Sequence, residues 1–310
     1  MAVNPSPPSD LPSLVEAYRA VVTSFADVAD GLRESDWDLP TACPGWTPRD
    51  HLAHVVHVED YLSGSEHPVT GWADTLASAA VDTAPISVGA PEHVRHDLGA
   101  WLEEGVRARR RRDPRELTSE LRGLMEIRSA SMYDADLDLD TPVRAPMGEQ
   151  MPFGELTRLR LMDIWLHEQD LREALSRPGS LDSAGASQWT DHVLGALTQV
   201  VLERVRPEPG TVVILESTGP VTGRAGVRVS TETDEEGRPV GHELFTGHAD
   251  EGDQRTPEEV DAEETTIIQL STEELGRRAA GRRSTEETAY QVSGDEDLAR
   301  RVLDAYVLTP

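Results

Sequence analysis

The chain has 310 residues, and its 57 acidic residues outnumber 29 basic ones, for a formal charge of −28. A surface this acidic repels phosphate backbones and anionic lipid, so neither nucleic acid nor a membrane is expected as a partner. All 29 basic residues are arginine, which removes lysine Schiff-base chemistry, and the lone Cys43 excludes an internal disulfide or a cysteine-based zinc site.

The length favours two domains. No run of 18 apolar residues is present, and the leader MAVNPSPPSDLPSL lacks the basic and apolar regions of a signal peptide. A cytoplasmic location is expected. Leu14, Tyr18, Val21, Phe25, Val28 and Leu32 trace one stripe of a first amphipathic helix over 11–32. A polar loop, SDWDLPTACPGW, follows. Thr47-Pro48 then opens a second helix, since Thr caps well and Pro suits the first helical position. That helix ends at Gly64, and 65–90 reads as loop. Helices are expected again over 91–112, with Val94, Leu98, Trp101, Leu102 and Val106 inward, and over 115–133.

A turn-rich segment leads into FGELTRLRLMDIWLHEQDLREALS, 153–176, whose Leu156, Leu159, Ile164, Leu171 and Ala174 recur at helical spacing. A further helix is expected over 184–205. Beyond Arg206-Pro-Glu-Pro-Gly the pattern changes to strands at TVVILEST, AGVRVSTET and HELFTG, an acidic loop over 249–264, then strand, helix, strand and helix to the end. The expected class is therefore α+β: a helical bundle over 1–206 and a small α+β domain over 207–310.

Chemistry concentrates on two helices. His51, His54 and His57 share a stripe on the second helix, and Asp163 and His167 stand four residues apart on the helix from Phe153. That spacing puts a carboxylate and an imidazole on one face, about 6 Å apart along the axis, on the side expected to be buried among Leu159, Met162 and Leu166. A buried carboxylate needs a partner. A divalent metal held by one or two histidines, Asp163 and His167 satisfies it; so does a hydrogen-bonded His–Asp network without metal, and spacing alone leaves both open.

Other candidates read as structural. Cys43 is expected to pack beside Trp46, Arg109–Arg112 to form a solvated helix end, and His242 and His248 to be exposed. Asp170 and Arg172 either orient ligands or pair with each other. No GxGxxG, P-loop, GxSxG or HExxH motif is present, which argues against nucleotide enzymes, serine hydrolases and zincins.

Gly45-Trp46-Thr47-Pro48-Arg49-Asp50 leading into Ala53-His54 resembles the first ligand segment of the mycothiol-dependent maleylpyruvate isomerase family, a branch of the DinB-like metal-binding bundles. Asp163, His167, Asp170 and Arg172 resemble its second segment. AAGR at 279–282 and the closing SGDEDLARRVLDAYVLTP are similar to its sterol-carrier-like second domain. The resemblance implies a divalent metal, with zinc expected, on His54, Asp163 and His167. His51 and His57 then serve as outer partners or packing. It also implies mycothiol as thiol cosubstrate and a small acidic substrate, with Arg282 as the cation for its carboxylate. The implied activity is a cis–trans isomerisation or a thiol transfer. A monomer is expected, because no long apolar surface stripe is left over in the sequence. The competing expectation is a metal-binding sensor or carrier without catalysis, its metal closed by a fourth protein ligand such as His51 or Glu59.

Overall fold

The computed structural model describes residues 2–68, 94, 96–134, 136–234, 237–246 and 265–309. The expected acidic loop over 249–264, His248 and most of the expected 65–90 loop lie outside these residues. The chain divides into two compact units, one of residues 8–179 and one of residues 1–7 with 180–310.

In the first unit, α1 (Leu11–Asp30) starts where the Asp10 carboxylate accepts from the Ser13 amide at 2.9 Å. It buries Leu14, Tyr18, Val21 and Phe25. Helix α2 (Pro48–Leu62) follows, then α3 (Asp97–Arg109), α4 (Pro114–Ser131) and α5 (Phe153–Ala174). Helix α3 begins at Asp97, later than the expected 91, with the His96 ring accepting from the Gly99 amide. A two-stranded hairpin, Pro142–Arg144 against Gln150–Pro152, leads into α5.

Helix α2 packs against α3, α4 and α5 together. Enclosed on so many sides, it buries every residue from Pro48 to Glu59 except Arg49, including three histidines and two carboxylates. Each of those polar groups needs an internal partner. On α5 the core takes Leu161, Ile164, Trp165 and Leu171. Leu159, expected inward, is instead 39% exposed, because it stands about 200° around the helix from Leu161.

In the second unit, β1 (Val3–Asn4), β2 (Val212–Thr218), β3 (Thr222–Thr233), β4 (Pro239–Leu244), β5 (Thr265–Leu270) and β6 (Tyr290–Ser293) form one sheet among the described residues. Its order is β1-β3-β2-β5-β6, with β4 also on β3; β2 and β5 run parallel and the other pairs antiparallel. Helices α6 (Ala184–Gly195), α7 (Thr272–Ala279) and α8 (Glu296–Ala305) belong to this unit. The helix expected as continuous over 184–205 stops at Gly195 and resumes as a short turn and a wider π-type turn, Val200–Val205. Grouped with the bundle in the sequence reading, α6 packs on α7 and the sheet. Trp189 donates to the Gly276 carbonyl at 3.4 Å, and the Tyr306 hydroxyl to that of Val193 at 2.5 Å. Arg278 donates to the carbonyls of Leu303, Arg283 and Asp304, which ties the end of α8 to the AAGR turn. Among the described residues no helix is long and apolar enough to cross a membrane.

Candidate metal centre

The site lies between α2 and α5. The start of α2 is fixed first: the Thr47 amide and hydroxyl both donate to Asp50 Oδ2 at 2.9 Å, and Pro48 supplies the first helical residue. Arg110 Nε donates to Asp50 Oδ1. Arg109 donates to Asp60 and to His57 Nδ1. The arginine run expected as a solvated end is thus partly spent on carboxylates of α2, which could not be buried without cations.

His54 Nε2 stands 3.1 Å from Asp163 Oδ2, and His167 Nε2 stands 3.5 Å from Asp163 Oδ1. One ligand atom from each of the three lies within 4.8 Å of the others. Four N and O ligands at about 2.0–2.2 Å in a tetrahedron stand roughly 3.3–3.6 Å apart; the 3.5 Å separation falls in that range, and the 3.1 Å one lies just below it, at hydrogen-bond length. His54 and His167 are buried, while the Asp163 side chain keeps a third of its surface exposed. The buried His54 Nδ1 has no hydrogen-bond partner. The donor set and its spacing fit a divalent metal.

Charge states agree with that fit. Burial pushes Asp163 up, but Arg160, His54 and His167 outweigh it and hold the carboxyl well below its usual range. Burial pulls His54 down to about 4 against the attraction of Asp163, so the ring is neutral at pH 7. Burial also lowers His167, yet Asp163 and Asp170 raise it above the ordinary histidine value. A proton or a metal on His167 Nε2 answers the same carboxylate.

The surroundings are built around this triangle. Trp46 lies over it, its ring 5.4, 5.1 and 5.6 Å from those of His51, His54 and His167, and its indole donates to Glu103. Cys43 packs against Trp46, as expected. His167 Nδ1 contacts Asp170 Oδ2 at 3.3 Å and His51 Nδ1 at 3.0 Å. Asp170 therefore partners His167, while Arg172 pairs with Glu168. Beneath the triangle, Arg160 donates to Asp163 Oδ2 at 2.6 Å and to Glu59 Oε1 at 2.8 Å. Glu59 also accepts from Tyr18 and Arg128. Burial pushes Glu59 up, but Arg128 and Arg160 keep it below its usual range. Sequence reading missed this carboxylate–arginine layer. Its signal was Glu59 and Arg160 standing among apolar residues of two inward helices.

His57 does not join the triangle. Its ring sits against Trp101 and His67, and on α3 only a glycine at 105 leaves it room: a Cβ there would lie 2.0 Å from His57 Cδ2. Burial first, then Arg109, lowers His57 to about 2. The unfolded chain therefore takes up a proton near pH 6.5 that the folded chain refuses. The neutral ring stabilises the fold above pH 6.5, and that contribution drains as pH falls toward 2. The expected loss from His57 is roughly 2 kcal/mol between pH 6.5 and 5 in metal-free protein. Urea unfolding at both pH values measures it: His57→Gln flattens the slope, and an unchanged slope would refute the assignment.

Arg282 lies in the second unit, where its guanidinium donates to the Ala280 carbonyl at 3.2 Å. His242, on β4, is exposed as expected.

The family described as the mycothiol maleylpyruvate isomerase N-terminal domain matches residues 18–172. Among solved structures the chain is similar to a crystal structure of a histidine-to-alanine mutant of the mycothiol-dependent maleylpyruvate isomerase. The identity is 12%, 91% of this chain and 93% of that one are covered, and the TM-score is 0.50. A second crystal structure of the mycothiol-dependent maleylpyruvate isomerase is similar at 13% identity, with the same coverage and a TM-score of 0.49. At such identity the first likeness is one of fold, a helical region followed by a sheet domain. No curated protein sequence matches.

Proposed function

The chain belongs to the mycothiol maleylpyruvate isomerase family, and from that premise we propose that it is a metal-dependent enzyme using mycothiol. In this reading it isomerises a maleylpyruvate-like small acid from cis to trans, or transfers the thiol to an electrophile. The observation that carries the proposal is the triangle of His54, Asp163 and His167, whose ligand atoms lie within 4.8 Å of one another.

Two imidazoles and one carboxylate suit zinc, which would supply a Lewis acid that lowers the pKa of a thiol at its open position. Mycothiol would supply the nucleophile that adds to a cis double bond conjugated with a carbonyl and leaves after rotation. The protein's own part is to hold and orient. Asp163 stays ionised because Arg160 pairs with its Oδ2, the oxygen that His54 also contacts, and Arg160 is fixed in turn by Glu59. His54 stays neutral through burial, and Trp46 covers the histidines. Glu59 is engaged by two arginines and Tyr18, and His51 by Thr41 and His167. Both expected fourth ligands thus have other partners, which favours a position left for an outside thiol. Arg282 stands in the proposal as the cation for the substrate's carboxylate, a role resting on the family resemblance alone.

The test is turnover of maleylpyruvate, and conjugation of a bromobimane, by zinc-loaded protein with and without mycothiol. The expected result is a rate in one assay that requires both zinc and mycothiol. Activity in neither, from folded and zinc-loaded protein, would overturn the proposal.

A further inference from the structure

We propose that Thr41, in the loop before α2, sets the tautomer of His167 through His51 and so readies His167 Nε2 as a metal ligand. Thr41 and His51 are positioning residues in this scheme, which rests on the metal-centre reading above.

Thr41 Oγ1 has one proton and four neighbours: the Trp46 carbonyl at 2.9 Å, the Cys43 carbonyl at 3.3 Å, the Cys43 amide at 3.3 Å and His51 Nε2 at 2.9 Å. The Cys43 carbonyl already accepts from the Trp46 amide. Among the described residues, the Trp46 carbonyl has Thr41 as its donor. A buried carbonyl without a donor is costly, so the hydroxyl proton belongs to Trp46. Thr41 then has only lone pairs to offer His51, and His51 must carry its proton on Nε2.

The rest follows from there being one proton on each neutral ring. With its proton on Nε2, His51 presents a lone pair at Nδ1. His167 Nδ1 lies 3.0 Å from it, and two lone pairs at that distance repel. His167 therefore carries its proton on Nδ1, shared between His51 Nδ1 and Asp170 Oδ2 at 3.3 Å. Asp170, fully buried, accepts and cannot donate while ionised, so it favours the same tautomer. The lone pair of neutral His167 is left on Nε2, 3.5 Å from Asp163 Oδ1. A lone pair facing a carboxylate across that gap calls for a proton or a metal ion between them, and the metal would take the proton's place.

Without the Thr41 acceptor, His51 can move its proton to Nδ1 and donate it to His167. Proton and metal would then compete for the remaining nitrogen of His167. Removing an outer partner of a metal-binding histidine typically weakens binding 10–100-fold.

The experiment compares wild type, Thr41→Val and Thr41→Ser by long-range ¹⁵N–¹H correlation of the histidine rings in metal-free protein, and by competitive zinc titration. The expected result is His51 protonated on Nε2 in wild type and in Thr41→Ser. In Thr41→Val that preference is lost and zinc dissociates about 10–100-fold more readily. Either His51 protonated on Nδ1 in wild type, or zinc affinity in folded Thr41→Val within threefold of wild type, overturns the proposal. A wild type with His51 protonated on Nε2 that binds no zinc overturns the metal-centre reading and the ligand-readying role with it. In that case the spectra still separate the two failures, because the tautomer relay is read without metal.

Discussion

Glu59→Gln is expected to lower the stability of the helical unit by about 3–5 kcal/mol, the usual penalty for removing one partner of a buried ion pair. Glu59 has no exposed surface and accepts from Tyr18 at 2.7 Å, from Arg160 at 2.8 Å and from Arg128, both arginines being nearly as buried. Glutamine keeps the shape but removes the charge, and its amide nitrogen would face donors. Arg160 would keep Asp163 as its carboxylate, while the buried Arg128 would lose the carboxylate it pairs with. Such a loss is a large fraction of the 5–15 kcal/mol by which ordinary domains are stable. Urea unfolding followed by helical circular dichroism measures it. A change below 1 kcal/mol would mean that the layer beneath the triangle is not holding the helices together.

The second large effect concerns binding. His54→Ala and His167→Ala should each weaken zinc by more than the roughly 10–100-fold that outer partners contribute, because each removes a direct ligand of the proposed centre. His57→Gln should leave zinc affinity within a few-fold of wild type, since His57 lies against Trp101 and His67, apart from the triangle. Competitive titration with a chromogenic chelator separates these cases. Equal affinities across all four proteins would place the metal elsewhere.

Much of this was legible in the sequence, for identifiable reasons. The long helices carry strong apolar periodicity, and α2 carries a clear start signal in Thr47-Pro48. The strands of the second unit stood out by their β-branched runs, and β2 falls within a residue of the expected TVVILEST. The i, i+4 spacing placed Asp163 and His167 on one face, and the structure brings His54 to them.

What was not legible depends on pairing between helices far apart in the chain. Leu159 looked like core by type, and only the packing of α5 against α1 and α2 decides which side of the helix faces inward. The layer of Glu59, Arg128 and Arg160 joins three helices, and no local pattern pairs a carboxylate at 59 with arginines at 128 and 160. Thr41 lies in an irregular loop whose hydrogen bonds to Trp46 and His51 exist only once the chain has turned. The break after Gly195 was open to reading as a simple glycine in a helix. The assignment of α6 to the second unit rests on contacts with α7 and β3, which no periodicity reports.

The central claim is a metal centre with a position open to an outside thiol, and cobalt-substituted protein tests it most directly. Cobalt(II) would report its coordination through visible absorption and a bound thiolate through a sulfur-to-cobalt charge-transfer band in the near ultraviolet. The account predicts that wild type takes up about one cobalt per chain, that mycothiol produces the charge-transfer band, and that His167→Ala shows neither. A cobalt spectrum that does not respond to mycothiol would contradict it. The metal would then be closed by protein ligands, and the protein would be a metal-binding sensor or carrier.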